Sequence, residues 1–223
     1  MGKMILVEGQ PGTGKTAAIR NLDPETTLIV KPNNKDLPFK GSRNIYKKGV
    51  NSVNVSSFRE VREVLTKVNS GTKFQVVVVE DITHIFSRRV MGEASEKGYE
   101  KWTRLAVDAF DGLLEIEGSL RDDLYVIVIG HTQMHKDFDG NQTFVLQTPG
   151  ALLDSIIKIP SYFTYVLHSG VEDLEDGSQS YYFLTNRDGS GKEAKSPEGC
   201  LDIKEPNDYR RIIDKIEAYQ NGD

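Results

Sequence analysis

Residues 9–16 read Gly9-Gln10-Pro11-Gly12-Thr13-Gly14-Lys15-Thr16, and those residue types at that spacing suit one kind of chemistry. Glycines let the backbone turn tightly and aim successive N–H groups inward, which makes a nest for phosphate oxygens. Lys15 can reach the β- and γ-phosphates of a nucleoside triphosphate, and the Thr16 hydroxyl can hold Mg²⁺. The flanks match that reading. The apolar run Met4-Ile5-Leu6-Val7 before the loop predicts a strand, and Ala17-Ala18-Ile19-Arg20 after it predicts a helix start. A helix there adds partial positive charge at the phosphates. All eight residues are candidate nucleotide ligands, and Lys15 is expected on a solvent-facing turn.

A second cluster lies at Glu80-Asp81, which ends the apolar run Phe74–Val79. Neighbouring strand residues point to opposite sides, so one acid is expected at the metal. The pattern favours Asp81, paired with Thr16, as the metal site. Glu80 is then left to orient an attacking water or to be solvated. Gln133 follows a later strand, where an amide can sense a γ-phosphate or serve as an ordinary turn residue. Arg187, Lys192 and Lys195 fall in a late glycine-containing loop. A cation there can reach the γ-phosphate of a neighbouring subunit, with Lys195 as the catalytic candidate; the alternative is a solvated loop. Arg88, Arg89, Lys97 and Lys101 make the segment after the acids basic, and Lys136 does so more weakly after Gln133. Such loops can position a nucleic-acid strand through its phosphates.

The elements that must hold these groups follow from hydrophobic periodicity. Thr27–Val30, Phe74–Val79 and Leu124–Ile129 are short buried strands, and 31–41 is an irregular, lysine-rich excursion. Ser57-Phe58-Arg59-Glu60 has capping-box spacing and opens a helix with Val61, Val64, Leu65 and Val68 on one face. Residues 87–101 are polar with two glycines and predict a mobile loop. A long amphipathic helix carrying Trp102, Leu105, Ala106, Ala109, Phe110, Leu113 and Leu114 comes next. Residues 136–148 predict a hairpin around Asp139-Gly140-Asn141. Tyr162–Leu167 and Tyr181–Thr185 read as strands, and a C-terminal helix from Asp208 turns Tyr209, Ile212, Ile213 and Ile216 inward. The expected fold is α/β: a three-layer domain with a parallel central sheet and a β-rich C-terminal part. Ligands bind at the carboxyl ends of such strands, so Lys15, Asp81 and Gln133 should converge.

The chain has 223 residues, enough for one domain, taken here as 1–223. A net charge of −5 argues against a broadly basic nucleic-acid coat, though not against a local basic groove. No apolar run approaches a membrane span, and the first residues enter a strand rather than a signal peptide. The single cysteine, Cys200, excludes an internal disulfide framework. A cytoplasmic setting is expected.

This layout resembles the compact, core-only RecA-like P-loop ATPases encoded by bacteriophages and associated with single-strand annealing recombination. The residues that carry the resemblance are Gly9–Thr16, Val76–Asp81 leading into Ile82-Thr83, Gly130-His131-Thr132-Gln133, and Ala194-Lys195-Ser196-Pro197-Glu198-Gly199. It implies ATP and Mg²⁺ as cofactors, weak hydrolysis, ring or filament homo-oligomers and contact with single-stranded DNA. It admits a single-strand DNA-binding protein as a partner and places the protein in a host cytoplasm. One departure stands out. Related enzymes often carry a catalytic glutamate after the second strand, where this chain reads Lys31-Pro32-Asn33-Asn34. Hydrolysis is therefore expected to be slow unless Glu80 serves. Two other readings compete: a small-molecule or nucleotide kinase with residues 31–41 as an acceptor lid, and an ATP-dependent assembly switch without nucleic acid.

Overall fold

Along the first strand, successive side chains enter two different apolar layers. Met4 and Leu6 join one and Ile5 and Val7 the other, with none of the four more than 1% exposed. A strand apolar on both faces belongs in the middle of a sheet covered on both sides. The structure, a computed structural model, describes residues 2–136 and 139–222. Its strands are β1 (Lys3–Gly9), β2 (Thr27–Lys31), β3 (Ser52–Asn54), β4 (Val76–Val79), β5 (Tyr125–Lys136), β6 (Gln142–Leu146), β7 (Tyr165–Asp173), β8 (Gln179–Leu184) and β9 (Lys204–Pro206). They form one sheet in the order β3-β2-β4-β5-β1-β7-β8-β9. The pairings from β3 to β7 are parallel, those of β8 antiparallel, and β6 folds back on the outer half of β5. This is a P-loop NTPase fold, with β5 inserted between the phosphate-loop strand and the acid-bearing strand.

The helices are α1 (Ser42–Ile45), α2 (Phe58–Asn69), α3 (Ile82–Gly92), α4 (Glu100–Ala109), α5 (Ala151–Ile156) and α6 (Tyr209–Asn221). Helices α2, α3 and α4 cover the face that includes Met4 and Leu6, while α6 covers the face that includes Ile5 and Val7. Ser57 caps α2, accepting from the Glu60 N–H at 3.3 Å. The Glu60 carboxylate reaches back one residue further than a capping box requires, to the Ser56 N–H at 2.6 Å.

Several sequence expectations are corrected. Residues 17–20 begin no α-helix; Ala17–Asn21 is a 3₁₀ turn that Leu22 ends in extended conformation, ahead of Pro24, which disfavours helix at Asp23. The segment 87–101 is a loop only over 93–99, because α3 runs through Gly92 with Ile82, Ile85 and Phe86 in the core and α4 begins at Glu100. The long helix breaks at Ala109 into a π-helical turn, Phe110–Leu114, and a 3₁₀ turn, Glu115–Ser119. Gly112 sits in that π turn against the start of α2, and a β-carbon there would stand 2.5 Å from the Phe58 carbonyl oxygen. The predicted hairpin is present as the β5–β6 pair; Asp137 and Phe138 lie outside the described residues. No helix among the described residues is long and apolar enough to cross a membrane.

Candidate functional site

Residues 10–16 leave the carboxyl end of β1 and are tied down from three sides. Gln10 donates from Nε2 to the Thr132 carbonyl of β5 at 3.1 Å. The Thr13 hydroxyl donates to the Gln10 carbonyl at 2.8 Å and lies 2.5 Å from the Ser169 hydroxyl of β7. From α6, the Tyr209 hydroxyl donates to the Lys15 carbonyl at 2.7 Å. Two glycines permit this closeness. A β-carbon on Gly9 would meet Ser169 Oγ at 2.2 Å, and one on Gly14 would meet the Tyr181 ring at 2.9 Å; both have positive φ. Pro11 and Gly12 form the exposed tip. A five-residue 3₁₀ turn follows in place of a long helix, so the nest of backbone N–H groups, more than an axial dipole, must hold an anion here.

Lys15 is not solvent-facing. It is 5% exposed, and its Nζ donates to the Gly9 and Gln10 carbonyls at 2.7 and 2.8 Å. Burial lowers its pKa to about 8, against the raising influence of Glu80, Asp81 and Glu8. The ammonium thus folds back over the nest, with a third donor beyond the two in use.

The two acids take opposite directions, Glu80 toward Thr16 and Asp81 toward the start of α3. Glu80 follows Val79 in line with the sheet, its N–H donating to the Val30 carbonyl at 2.7 Å. The Thr16 hydroxyl donates to Glu80 Oε1. Burial raises the Glu80 pKa, and the Thr16 hydrogen bond works against that rise. Asp81 turns away with φ 55°, the one positive φ at a non-glycine among the described residues. Aspartate tolerates that conformation. There its side chain caps α3 through the His84 N–H at 3.1 Å and faces His131 Nε2 at 3.7 Å. Burial pushes its pKa up, but His131 and the His84 N–H outweigh it, and the net shift is downward. The hydroxyl–carboxylate pair beside the loop is Thr16 with Glu80, not Thr16 with Asp81.

Gln133 lies on β5 two residues beyond the last β1–β5 pair, Gly9 with His131, and opposite Val145 of β6. It belongs to a ladder rather than a turn. Lys15, Glu80, Asp81 and Gln133 all stand at the carboxyl ends of the parallel strands. Lys195 does not. Its backbone exchanges two 2.9 Å hydrogen bonds with Val166 of β7, the partner of Leu6, three residues short of Gly9. Its exposed side chain lines a groove with Leu146, Lys158 and Ile159. Lys192 lies over the Tyr182 ring at 5.7 Å, and Arg187 lines a cavity with Phe144 and Lys192.

Sequence reasoning missed a buried pair beneath the loop. Glu8 and His168 sit opposite each other on β1 and β7, 0% and 2% exposed, with Oε1 and Nδ1 3.4 Å apart. Burial, then the nearby Glu193, pushes the Glu8 pKa well up despite Lys15. Burial, then the charges of Lys192 and Lys15, lowers that of His168 to about 4. Burial thus works against the charged form of both partners. The visible signal was an acid inside an apolar strand. Tyr209 and Ser169 left no signal, since only the fold brings them to the loop.

A family model described as an AAA domain matches residues 1–196, which include the loop, both acids, Gln133 and Lys195. No curated protein matches the chain.

Proposed function

The chain belongs to the AAA domain family, and on that premise we propose that it is a Mg²⁺-dependent ATPase working as an oligomer on single-stranded DNA. The family itself carries nucleotide binding and ATPase character. The observation that supports metal-assisted chemistry in this chain is the Thr16–Glu80 contact beside the glycine nest. A hydroxyl and a carboxylate oxygen side by side are the hard oxygen donors that Mg²⁺ prefers. When bound, Mg²⁺ neutralises phosphate charge and helps align the leaving oxygens. Lys15 exchanges its bonds to the Gly9 and Gln10 carbonyls for phosphate oxygens. Gln10, Pro11, Gly12, Thr13 and Gly14 would supply the enclosing backbone, and Thr16 and Glu80 would hold the metal. Asp81, held below the usual carboxylate range by His131 and the α3 N-terminus, is left to orient the attacking water. In that role it stands in for the glutamate that residues 31–34 lack. Gln133 senses the γ-phosphate from β5.

The finer reading is a RecA-like ATPase of phage-encoded, single-strand annealing recombination, acting in a host cytoplasm, with a single-strand DNA-binding protein as a candidate partner. It rests on motif order and on where exposed cations remain. Arg88 donates to the Pro32 carbonyl at 2.8 Å, and Arg89 pairs with Glu93 and Asp108 at 2.7 and 3.2 Å. Those two are occupied. The β5–β6 hairpin keeps His135 and Lys136 exposed, and it is the surface on which we place the strand's phosphates. ATP turnover measured with and without Mg²⁺ and with single-stranded DNA tests the proposal. Mg²⁺-dependent hydrolysis that DNA stimulates is expected. Absence of ATP binding would overturn the whole reading, and turnover indifferent to DNA would overturn its finer part.

A further inference from the structure

We infer that Tyr181 is the platform on which the nucleotide's base stacks, an inference that rests on the nucleotide-site reading above. Sheet order sets the direction. The Thr16–Glu80 contact places the metal end of a triphosphate toward β5 and β4. A chain of phosphates lying along the loop therefore carries its nucleoside toward the other side of β1, where β7 and β8 stand.

On that flank Tyr181 is 40% exposed and its ring presses on the loop: a β-carbon on Gly14 would lie 2.9 Å from Tyr181 Cδ1 and 3.1 Å from Asn207 Nδ2. The ring shares a sheet face with Phe183, two residues on. Phe183 stacks on Tyr209 at 5.4 Å and 8°, so Tyr181 is the outer end of an aromatic row anchored in the core. Its carbonyl accepts from the Asn207 N–H at 3.2 Å, and its hydroxyl donates to Gln179 Oε1 at 3.2 Å. The first contact ties the backbone under the ring to Asn207, and the second lies at the exposed end of the ring. Beside it, Asn207 is 3% exposed; its Oδ1 accepts from Arg20 at 3.1 Å, while its Nδ2 has no partner. Stacking engages the π-face that every base possesses, so Tyr181 separates nucleoside triphosphates from bare triphosphate and does not separate adenine from guanine.

Calorimetric titration of the full chain with Mg–ATP and with Mg–tripolyphosphate tests this. Tyr181→Ala is expected to weaken ATP by roughly 5- to 150-fold, from the usual cost of losing one base–aromatic stack, and to leave tripolyphosphate affinity unchanged. Tyr181→Trp should restore ATP binding, with indole emission that responds to ATP and not to tripolyphosphate. Equal losses for both ligands would make Tyr181 a mere support for Gly14, and no loss for either would remove it from the site; each overturns the inference. A change only in oligomeric state would assign the ring to a subunit contact and overturn it too. A wild-type chain that binds neither ligand fails at the nucleotide site itself, and that result is distinguishable from the others.

Discussion

Lys15 donates to two carbonyls of its own loop, and burial brings its pKa to about 8. A phosphate in place of those carbonyls favours the charged ammonium. Nucleotide binding must then take up a proton whenever the free group is neutral. ATP affinity is expected to hold steady below pH 8 and to fall about tenfold per pH unit above it. Titration in buffers of different ionisation enthalpy reads the proton uptake directly, and an affinity that stays flat well above pH 8 contradicts the assignment. Lys15→Ala should weaken ATP by roughly 30-fold or more, since losing a buried charged contact costs about 2–5 kcal/mol, with circular dichroism unchanged. The two acids separate in the same assay. Glu80→Gln should lose the Mg²⁺ dependence of binding. Asp81→Asn, which keeps an N-cap and tolerates positive φ, should bind normally and turn over slowly. The opposite pattern would restore Asp81 to the metal.

Between elements, the contacts with least slack are those where backbones meet closely. Gly112 lets the π turn touch the first residue of α2, and Gly112→Ala would place a β-carbon 2.6 Å from Phe58 Cβ. Overpacking of that kind costs about 1–3 kcal/mol. For a chain of this size that lowers Tm by roughly 2–4 °C per kcal/mol, which calorimetry measures. The β1–β7 pairing holds Glu8 beside His168, where burial works against its charged form. An unfolded glutamate ionises near its ordinary pKa of 4.5, while buried Glu8 keeps its proton to higher pH. The wild type therefore loses stability as pH rises from that range toward the raised folded pKa. Glu8→Gln should be the more stable protein at pH 8, with the Tm difference shrinking as pH falls to 4.5; a difference that does not change with pH would mean that Glu8 is ionised in the fold. These elements were unequally legible in the sequence. Val76–Val79 and Tyr125–Ile129 announced themselves because a strand covered on both faces is apolar throughout. Helix α3 hid because Ser87, Arg88 and Arg89 show its wet side, while its apolar face, Ile82, Ile85 and Phe86, abuts the acid pair. Strands β3 and β9 have three residues each and no apolar run. Strand period could say that Glu80 and Asp81 diverge, but the phase was set by the left-handed turn at Asp81, which no pattern encodes.

At the scale of the whole molecule, the parallel strands give the protein two poles, and the candidate chemistry is confined to one of them. Lys195 is fastened to the β7 edge short of that pole, with an exposed side chain. It stands apart from its own nucleotide loop. If it acts on a γ-phosphate, that phosphate is bound by a neighbouring subunit, and the same holds for exposed Arg187. A charge supplied across subunits can raise turnover by about 10³-fold or more in phosphoryl transfer. ATP is then expected to promote oligomers, and hydrolysis per subunit should rise with protein concentration. Single-stranded DNA should strengthen both effects by aligning subunits through their β5–β6 hairpins. Mixing resolves the geometry. Lys15→Ala subunits keep the late loop and Lys195→Ala subunits keep the nucleotide site, so neither turns over alone at the wild-type rate. Together they should recover part of it, because a mixed boundary joins one intact loop to one intact site. Recovery that tracks the binomial fraction of such boundaries locates the cation in trans. A chain that stays monomeric by light scattering, with turnover per subunit flat in concentration with and without DNA, would leave Lys195 on the surface with no part in hydrolysis.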